Sequence, residues 1–574
     1  MRRYSVLAVV MMAVLAVPGF LPAAEVFETD DTVGWVYVPN YQVLRGKLDG
    51  LVNQIFPGMG VMVSAGIRKG LAQSGLSLEG VDKAKPAAVI FLAGKAGDRP
   101  VVGLFSLTSA DNFRQANAGF SGGFIEIGKA VAVVGDNKDA VAAVAARVKN
   151  LTRFEVKGAA GDFCVSGDAA KLRILFRSKF RRQGAILREK AKGGLMNIRG
   201  EGALLSPAVV DKAVQGAYEA LRAALCQVTR VDVAVTIQPD GILVENRAGT
   251  VPGSALATFL AAQKGGAADR ARFLPADGVV HYAGGVFDPA SVYALGKRVL
   301  DRVLARVPVV SPNRAAALKI LELVRTMDGD VVQALVVRGN RPVSLVLCGA
   351  KDGNAYEAAT KTAFDQLRTG LAGRVFGGIG VEYRWKGKAR EYKGVAVDAI
   401  DIVVLPAADR AVRQFVEQNY GKESKYELAL VKGTAVTAWG VGCEAVMNET
   451  LDRILAGQEG FTALDSYKKA AARVPAGAAY VSQVFFLNTM RLAAKTQAET
   501  LPPFLAGLDW DALVRDEAPM TGYAVPEGSG IRLGVFLPLQ PIKALIVPVI
   551  AAGMAGAGFG GGGMAVPPGL QGGK

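Results

Sequence analysis

Internal repetition constrains this chain more than any single motif does. Residues 128–141 (GKAVAVVGDNKDAV) and 433–446 (GTAVTAWGVGCEAV) align without a gap and share six of fourteen residues. Each reads as a strand stopped by glycine (Gly135, Gly440) and followed by a helix. Three further correspondences fall in the same order. Residues 31–51 and 277–304 each predict a strand leading into a helix. The first helix begins after Asn40, the second at Asp288-Pro289, an N-cap followed by a first-turn proline. Residues 88–114 and 334–356 each predict a hairpin and a helix, with Arg-Pro-Val at the start of the second strand (Arg99 to Val101, Arg341 to Val343). Residues 231–262 and 520–552 each predict a strand, a Pro-acidic-Gly turn (Pro239-Asp240-Gly241, Pro526-Glu527-Gly528), a strand and a helix. One such match arises by chance; four in register imply a module written twice.

The implied fold class is α+β: two tandem copies of a module with a mainly antiparallel sheet and helices packed on one face. Hairpins exclude an all-parallel sheet, and β-β-α grammar places helices against it. The expected organisation is a signal peptide at 1–24 and copy one at 25–262. A polar linker follows at 263–272 (QKGGAADRAR), then copy two at 273–552 and a flexible Gly-rich tail at 553–574. In the helix expected over 206–225, Val210, Val214, Tyr218, Leu221 and Leu225 fall at helical spacing and predict a core stripe. The apolar run Ala544 to Phe559 contains Pro548 and several glycines, and reads as the closing helix of copy two rather than a membrane span.

Leu274 to Asp277 (LPAD) opens a strand-helix unit, and Val134-Gly135-Asp136 enters a helix. These segments resemble a family of uncharacterised exported bacterial proteins, a domain of unknown function with paired α+β repeats. In copy two the second motif reads Trp439-Gly440-Val441 and is not kept. The resemblance implies export and a repeated fold; it implies no activity.

The start of the chain has its own layout. Arg2 and Arg3 precede an apolar stretch, Leu7 to Ala16, and Ala23-Ala24 lead to the first acidic residues. That is the pattern of a secretory signal peptide, so the expected location is periplasmic or extracellular. An oxidising compartment permits disulfides. The four cysteines, Cys164, Cys226, Cys348 and Cys443, are read either as buried thiols or as one disulfide in each half (Cys164 with Cys226, Cys348 with Cys443).

Catalytic signatures are missing. His281, the chain's one histidine, lies on an expected strand, which argues against histidine-based triads and zinc sites of the usual ligand type. Ser466 to Lys469 fits Ser-x-x-Lys by spacing alone, on an ordinary amphipathic helix. Gly556 to Gly561 fits Gly-x-Gly-x-x-Gly but sits in the glycine-rich tail, not between a strand and a helix. No cofactor is expected.

The charge is more informative. Residues 171–199 hold ten Lys or Arg against one acid, a net +9 within a chain of +16. Arg173, Arg177, Lys179, Arg181, Arg182, Arg188, Lys190 and Lys192 are the candidate anion-binding residues, and Leu172, Leu175, Phe176 and Phe180 offer an apolar stripe beside them. This is the composition of a helix lying on an anionic surface. A solvated outer face of a module helix would look the same. A second stretch, Tyr383 to Lys393 (YRWKGKAREYK), interleaves aromatics with cations, which strand alternation also explains. The sequence therefore points to a non-enzymatic exported envelope protein. Its expected partner is an anionic membrane surface or envelope polymer, not nucleic acid. A carrier of an apolar ligand and a carboxylate-based hydrolase are the competing expectations.

Overall fold

The apolar run TVGWVYV begins the first strand, β1 (Thr32–Val38), and Asn40 ends it by capping α1 (Tyr41–Ile55), its side chain accepting from the Val43 amide at 2.9 Å. A computed structural model describes residues 31–544, apart from 57–58, 61–64, 66–74, 94–99, 149, 151–153, 155–160, 176–181, 183–184, 187–188, 190–206, 307–313, 340, 370–380, 405–424, 497–507 and 515–516. The expected signal peptide at 1–24, the expected tail at 553–574 and most of the final apolar run thus lie outside the described residues. The protein is mixed α+β, and the 18 strands among the described residues pair antiparallel in every register described.

The described residues divide into two compact units that are discontinuous in sequence. Unit one draws on the chain up to Arg177, on Val228–Thr250 and on the chain from Ile531; unit two takes Ser178–Gln227 and Val251–Gly530.

In unit one, β2 (Ala87–Leu92) and β3 (Val101–Ser106) form the expected hairpin, followed by α2 (Ala110–Ala116). Next come β4 (Phe124–Ile127), β5 (Val131–Gly135), α3 (Lys138–Val148), β6 (Phe163–Asp168) and α4 (Ala169–Leu175). After α5 (Pro207–Leu225), which belongs to unit two, β7 (Val228–Gln238) and β8 (Gly241–Thr250) return. The spatial order is β4-β5-β3-β2-β1-β6-β7-β8.

Unit two continues with α6 (Ala255–Ala262), β9 (Val279–Val286), α7 (Pro289–Arg306), α8 (Arg314–Thr326), β10 (Met327–Arg338) and β11 (Arg341–Ala350). There follow α9 (Gly353–Thr369), β12 (Val381–Tyr392), β13 (Val395–Val404), β14 (Lys425–Val431), β15 (Thr434–Gly440), α10 (Cys443–Ala456) and α11 (Asp465–Ala471). The unit ends with β16 (Tyr480–Val484), α12 (Phe486–Thr496), α13 (Trp510–Leu513) and β17 (Met520–Glu527). Its spatial order is β17-β16-β9-β10-β11-β15-β14-β13-β12. The last strand, β18 (Gly530–Pro538), pairs with β8 in unit one. The turn before it is Gly528-Ser529, with Gly528 at φ +63°; Pro526 and Glu527 still belong to β17, so the expected Pro-acidic-Gly turn is displaced along the chain.

Helices cover both sides of each sheet rather than one. Successive strand residues point to opposite faces. Val133 packs with Val141 and Val144 of α3, whereas its neighbours Ala132 and Val134 pack with Phe113 of α2. In unit two, Val436 and Ala438 meet Val446, Met447 and Leu451 of α10, while Ala435 joins Cys348 and Tyr356 of α9. Strands apolar on both sides need two covers, because each fully exposed large apolar side chain forfeits about 1.5–3 kcal/mol.

Two further expectations change. In α5 Val214 is buried, but Leu221 and Leu225 are exposed at 53% and 54%; Ala220 is the buried neighbour instead. A small residue there permits close approach, and α5 packs against α7. Residues 263–272, expected as a polar joint, are built into unit two. Ala268 and Ala271 are buried, and Arg270 donates to Asp330 and to Asp328, each at 2.9 Å. Burial raises the Asp330 carboxyl above its usual range even with Arg270 beside it.

All four cysteines are free. Cys348 belongs to the cluster under α9, its sulfur 3.2 Å from the Tyr356 hydroxyl, whereas Cys443 starts α10 in the cluster on the opposite face. That separation is why the expected pairing of Cys348 with Cys443 fails. Burial pushes the thiols of Cys164 and Cys443 up to about 12, and raises that of Cys348. A thiol reagent at neutral pH should therefore label the native protein rapidly at Cys226, the one exposed cysteine, and at all four after unfolding. Rapid labelling that survives Cys226→Ser would contradict this assignment.

Candidate functional site

An open, shallow apolar groove lies between α6 and α7 in unit two. Its geometry starts with the caps. Asp288 accepts from the Ser291 amide at 2.7 Å, and Pro289 takes the first helical position, so α7 begins where the sequence predicts. From there Val292, Leu295, Gly296, Val299 and Leu300 share one face at helical spacing. Together with Phe259 of α6 they line a groove of about 420 Å³. Such a volume lies in the range of small-molecule sites, roughly 300–1,000 Å³. At Gly296 a Cβ would lie 2.8 Å from a methyl of Leu321 on α8, so the glycine leaves room for that side chain against α7.

Gln263 fixes the angle between the two groove helices. Its amide nitrogen donates to the Phe259 carbonyl and to the Ser291 hydroxyl, each at 2.8 Å, and its oxygen accepts from the Asp288 amide at 3.1 Å. One side chain thus ends α6 and starts α7. At α6's other end Ser254 and Gln227 cap the amides of Ala257 and Leu256.

Val299 on the groove's lining is 41% exposed, and α5, which packs against α7, presents Leu221 and Leu225 to solvent. Lys297, Arg298 and Arg302 are exposed on α7. By helical spacing, Arg298 and Arg302 flank the lining face beside Leu295, while Asp301 lies on the far side.

The expected anion-binding residues are only partly within the described structure. Arg173 sits on α4, half-buried, and donates to the Val228 carbonyl at 3.0 Å, so it serves the fold of unit one. Arg182 is exposed. Arg177, Lys179, Arg181, Arg188, Lys190 and Lys192 lie outside the described residues, as do Phe176 and Phe180. Leu172 turns toward Gly167, and Ile174 is 77% exposed.

The other sequence candidates are absorbed by structure. In the stretch from Tyr383 to Lys393, Trp385 packs on Phe364 with ring centroids 5.4 Å apart. Three of its cations pair with acids of the same unit: Lys386 with Asp401, Arg390 with the buried Glu427 at 2.7 Å, and Lys393 with Asp452. Lys469 is exposed on α11, consistent with a chance Ser-x-x-Lys match. Among the described residues no group of three or more His, Cys, Asp or Glu could hold a metal ion, and no helix is long and apolar enough to cross a membrane.

Sequence reading missed the groove because it treated α7 only as one half of a repeated strand-helix unit. The signal was present as apolar residues at 292, 295, 299 and 300 with Lys297, Arg298 and Arg302 among them.

Two expectations follow. Gln263→Ala removes three hydrogen bonds between and within the groove helices; it should cost about 1–3 kcal/mol in denaturant unfolding and speed hydrogen exchange at Asp288. Unchanged exchange there would contradict the latch. Burial lowers the His281 pKa, so the unfolded state takes up a proton first as pH falls. Stability should drop as pH is lowered from about 6.5 through the depressed folded value, and His281→Gln should remove that component of the drop. Comparison with known protein families, with curated proteins and with solved structures finds no match for this chain.

Proposed function

We propose that this chain is a non-enzymatic exported envelope protein that associates with an anionic lipid surface, holding an acyl chain in the α6–α7 groove. The observation that carries this reading is the groove itself: a wholly apolar lining, open to solvent, with Arg298 and Arg302 at its edge. An apolar slot beside cations fits an amphiphile with an anionic head better than it fits a polar polymer. The basic run at 171–199, with its net +9, would add long-range attraction to the same surface. Export rests on the signal-like layout of residues 1–24.

We also infer that the two halves are copies of one module, over 25–262 and 273–552. What supports this is the connection pattern. The order β4-β5-β3-β2-β1-β6-β7 in unit one recurs as β14-β15-β11-β10-β9-β16-β17 in unit two, each strand paired with the same neighbours. The hairpin of β12 and β13 then extends copy two at its β14 edge. On this reading what both copies share is scaffold. That scaffold includes α1 and its counterpart α7, whereas the basic run belongs to copy one alone.

Co-sedimentation of the mature chain with vesicles tests the lipid reading. Binding should be strong to phosphatidylglycerol-containing vesicles, weak to pure phosphatidylcholine, and reduced at high salt. Leu295→Asp and the Arg298→Glu, Arg302→Glu pair should each weaken binding by about ten-fold, roughly 1.4 kcal/mol. Changing Arg177, Lys179, Arg181 and Arg182 together to Glu should weaken it further. Equal binding to both vesicle types, or full binding by Leu295→Asp, would remove this function.

A further inference from the structure

Unit two carries a second concavity that shares no lining residue with the groove and has a different chemistry. It is built on a cross-strand row. His281 on β9 lies directly opposite Leu335 on β10, Leu335 opposite Ser344 on β11, and Ser344 opposite Trp439 on β15. Residues directly opposite one another share a face of the sheet. At about 4.8 Å between strands, the row spans roughly 14 Å from His281 to Trp439. Helix α9 covers the other end of these strands through Tyr356 and Cys348, and leaves this end as a recess of about 290 Å³. His281, Gln333, Leu335, Pro342, Ser344 and Trp439 line it.

Three features make the recess a built site rather than a gap. Ser344 forms its floor at 7% exposure, whereas Trp439 is 37% exposed. Behind Trp439, Tyr426 stacks at 6.3 Å with an interplanar angle of 16°, and Phe364 packs on Tyr426 at 5.4 Å, so the indole plane is held in place. Apart from the imidazole, no lining side chain is ionisable, which disfavours a charged ligand. With its pKa lowered by burial, His281 is neutral at neutral pH and offers one donor and one acceptor. Gln333, on the exposed rim, adds an amide with both functions.

We propose that this recess binds a neutral saccharide, one or two pyranose rings long, with the apolar face of a ring on Trp439 and its hydroxyls bonded by Ser344, Gln333 and His281. An aromatic platform gives area without charge, and Ser, Gln and neutral His can each both donate to and accept from a hydroxyl. This proposal does not depend on the lipid reading, since the two sites have no residue in common.

Titrating the mature chain with glucose, N-acetylglucosamine and their β-1,4-linked disaccharides tests it, by calorimetry and by tryptophan emission. Trp439 is the best reporter of the four tryptophans, because Trp35 and Trp510 are buried and Trp385 packs on Phe364. At least one of these sugars should bind with a Kd on the order of 1 mM or tighter and alter the emission. Trp439→Ala and Gln333→Ala should each weaken binding by about ten-fold and leave vesicle binding unchanged. Gln333 is on the exposed rim, so its replacement stays informative even if Trp439→Ala fails to fold. Absence of binding by every sugar at concentrations well above 1 mM, or calorimetric binding left unweakened by Gln333→Ala or by a folded Trp439→Ala variant, would overturn the proposal.

Discussion

From Thr434 to Ala438 every residue of β15 is buried, and because strand neighbours face opposite ways, both sides of that sheet must be covered. The rest of unit two follows from this constraint. One cover is α10 with the short turns around Phe273 and Phe461; the other is α9, with Leu323 of α8 packed against the same cluster. Unit one meets the same demand with α3 on one side of β5 and α2 on the other. Where the cover runs out, toward Trp439, the sheet face opens into the polar recess. The surface feature is a consequence of how far the helices reach.

Polar side chains then set the positions of the covers. Arg270 ties the segment entering β9 to Asp328 and Asp330 of β10 and to Thr434 of β15. Arg390 spans from β12 to Glu427 on β14 and to Asn448 on α10, with bonds of 2.7 to 2.9 Å. Glu517 accepts from the amides of Leu487 and Asn488 at the start of α12, although burial raises its pKa. Removing one partner from such a buried pair leaves the other charge uncompensated, a loss of about 3–5 kcal/mol for a fully buried case. Gln263 plays the corresponding part at the groove without any charge. These contacts explain why residues 263–272, polar in composition, are not a linker in behaviour: Gln263 and Arg270 are bonded, and Ala268 and Ala271 are buried in the core.

Much of the element order was legible. The Asn40 and Asp288 caps, the second hairpin strands starting at Val101 and Arg341, and the glycine stops all appear where local chemistry places them. Gly440 is an example: it has φ +123°, and a Cβ would lie 2.8 Å from the Pro342 carbonyl, so glycine is required where the sequence reads a strand end. The candidate sites were far less legible. Leu221 and Leu225 carried a core pattern yet face solvent, because helical spacing identifies a shared face and not what covers it. Arg173 looked like part of a free basic surface and instead satisfies a backbone carbonyl. His281 and Trp439 stand 158 positions apart in sequence, and no local pattern connects them.

By itself, then, the sequence determined the kinds of elements and much of their order, since each depends on backbone propensity, capping and periodicity within a few residues. Tertiary structure decided which faces are covered, which charges are spent on internal partners, and which residues meet across strands to form a recess. Those outcomes depend on pairing between strands and on helix placement over distances that no local signal spans. The basic run at 171–199 illustrates the division: its charge is a property of the chain, while Arg173 is drawn to the Val228 carbonyl by what folds beside it.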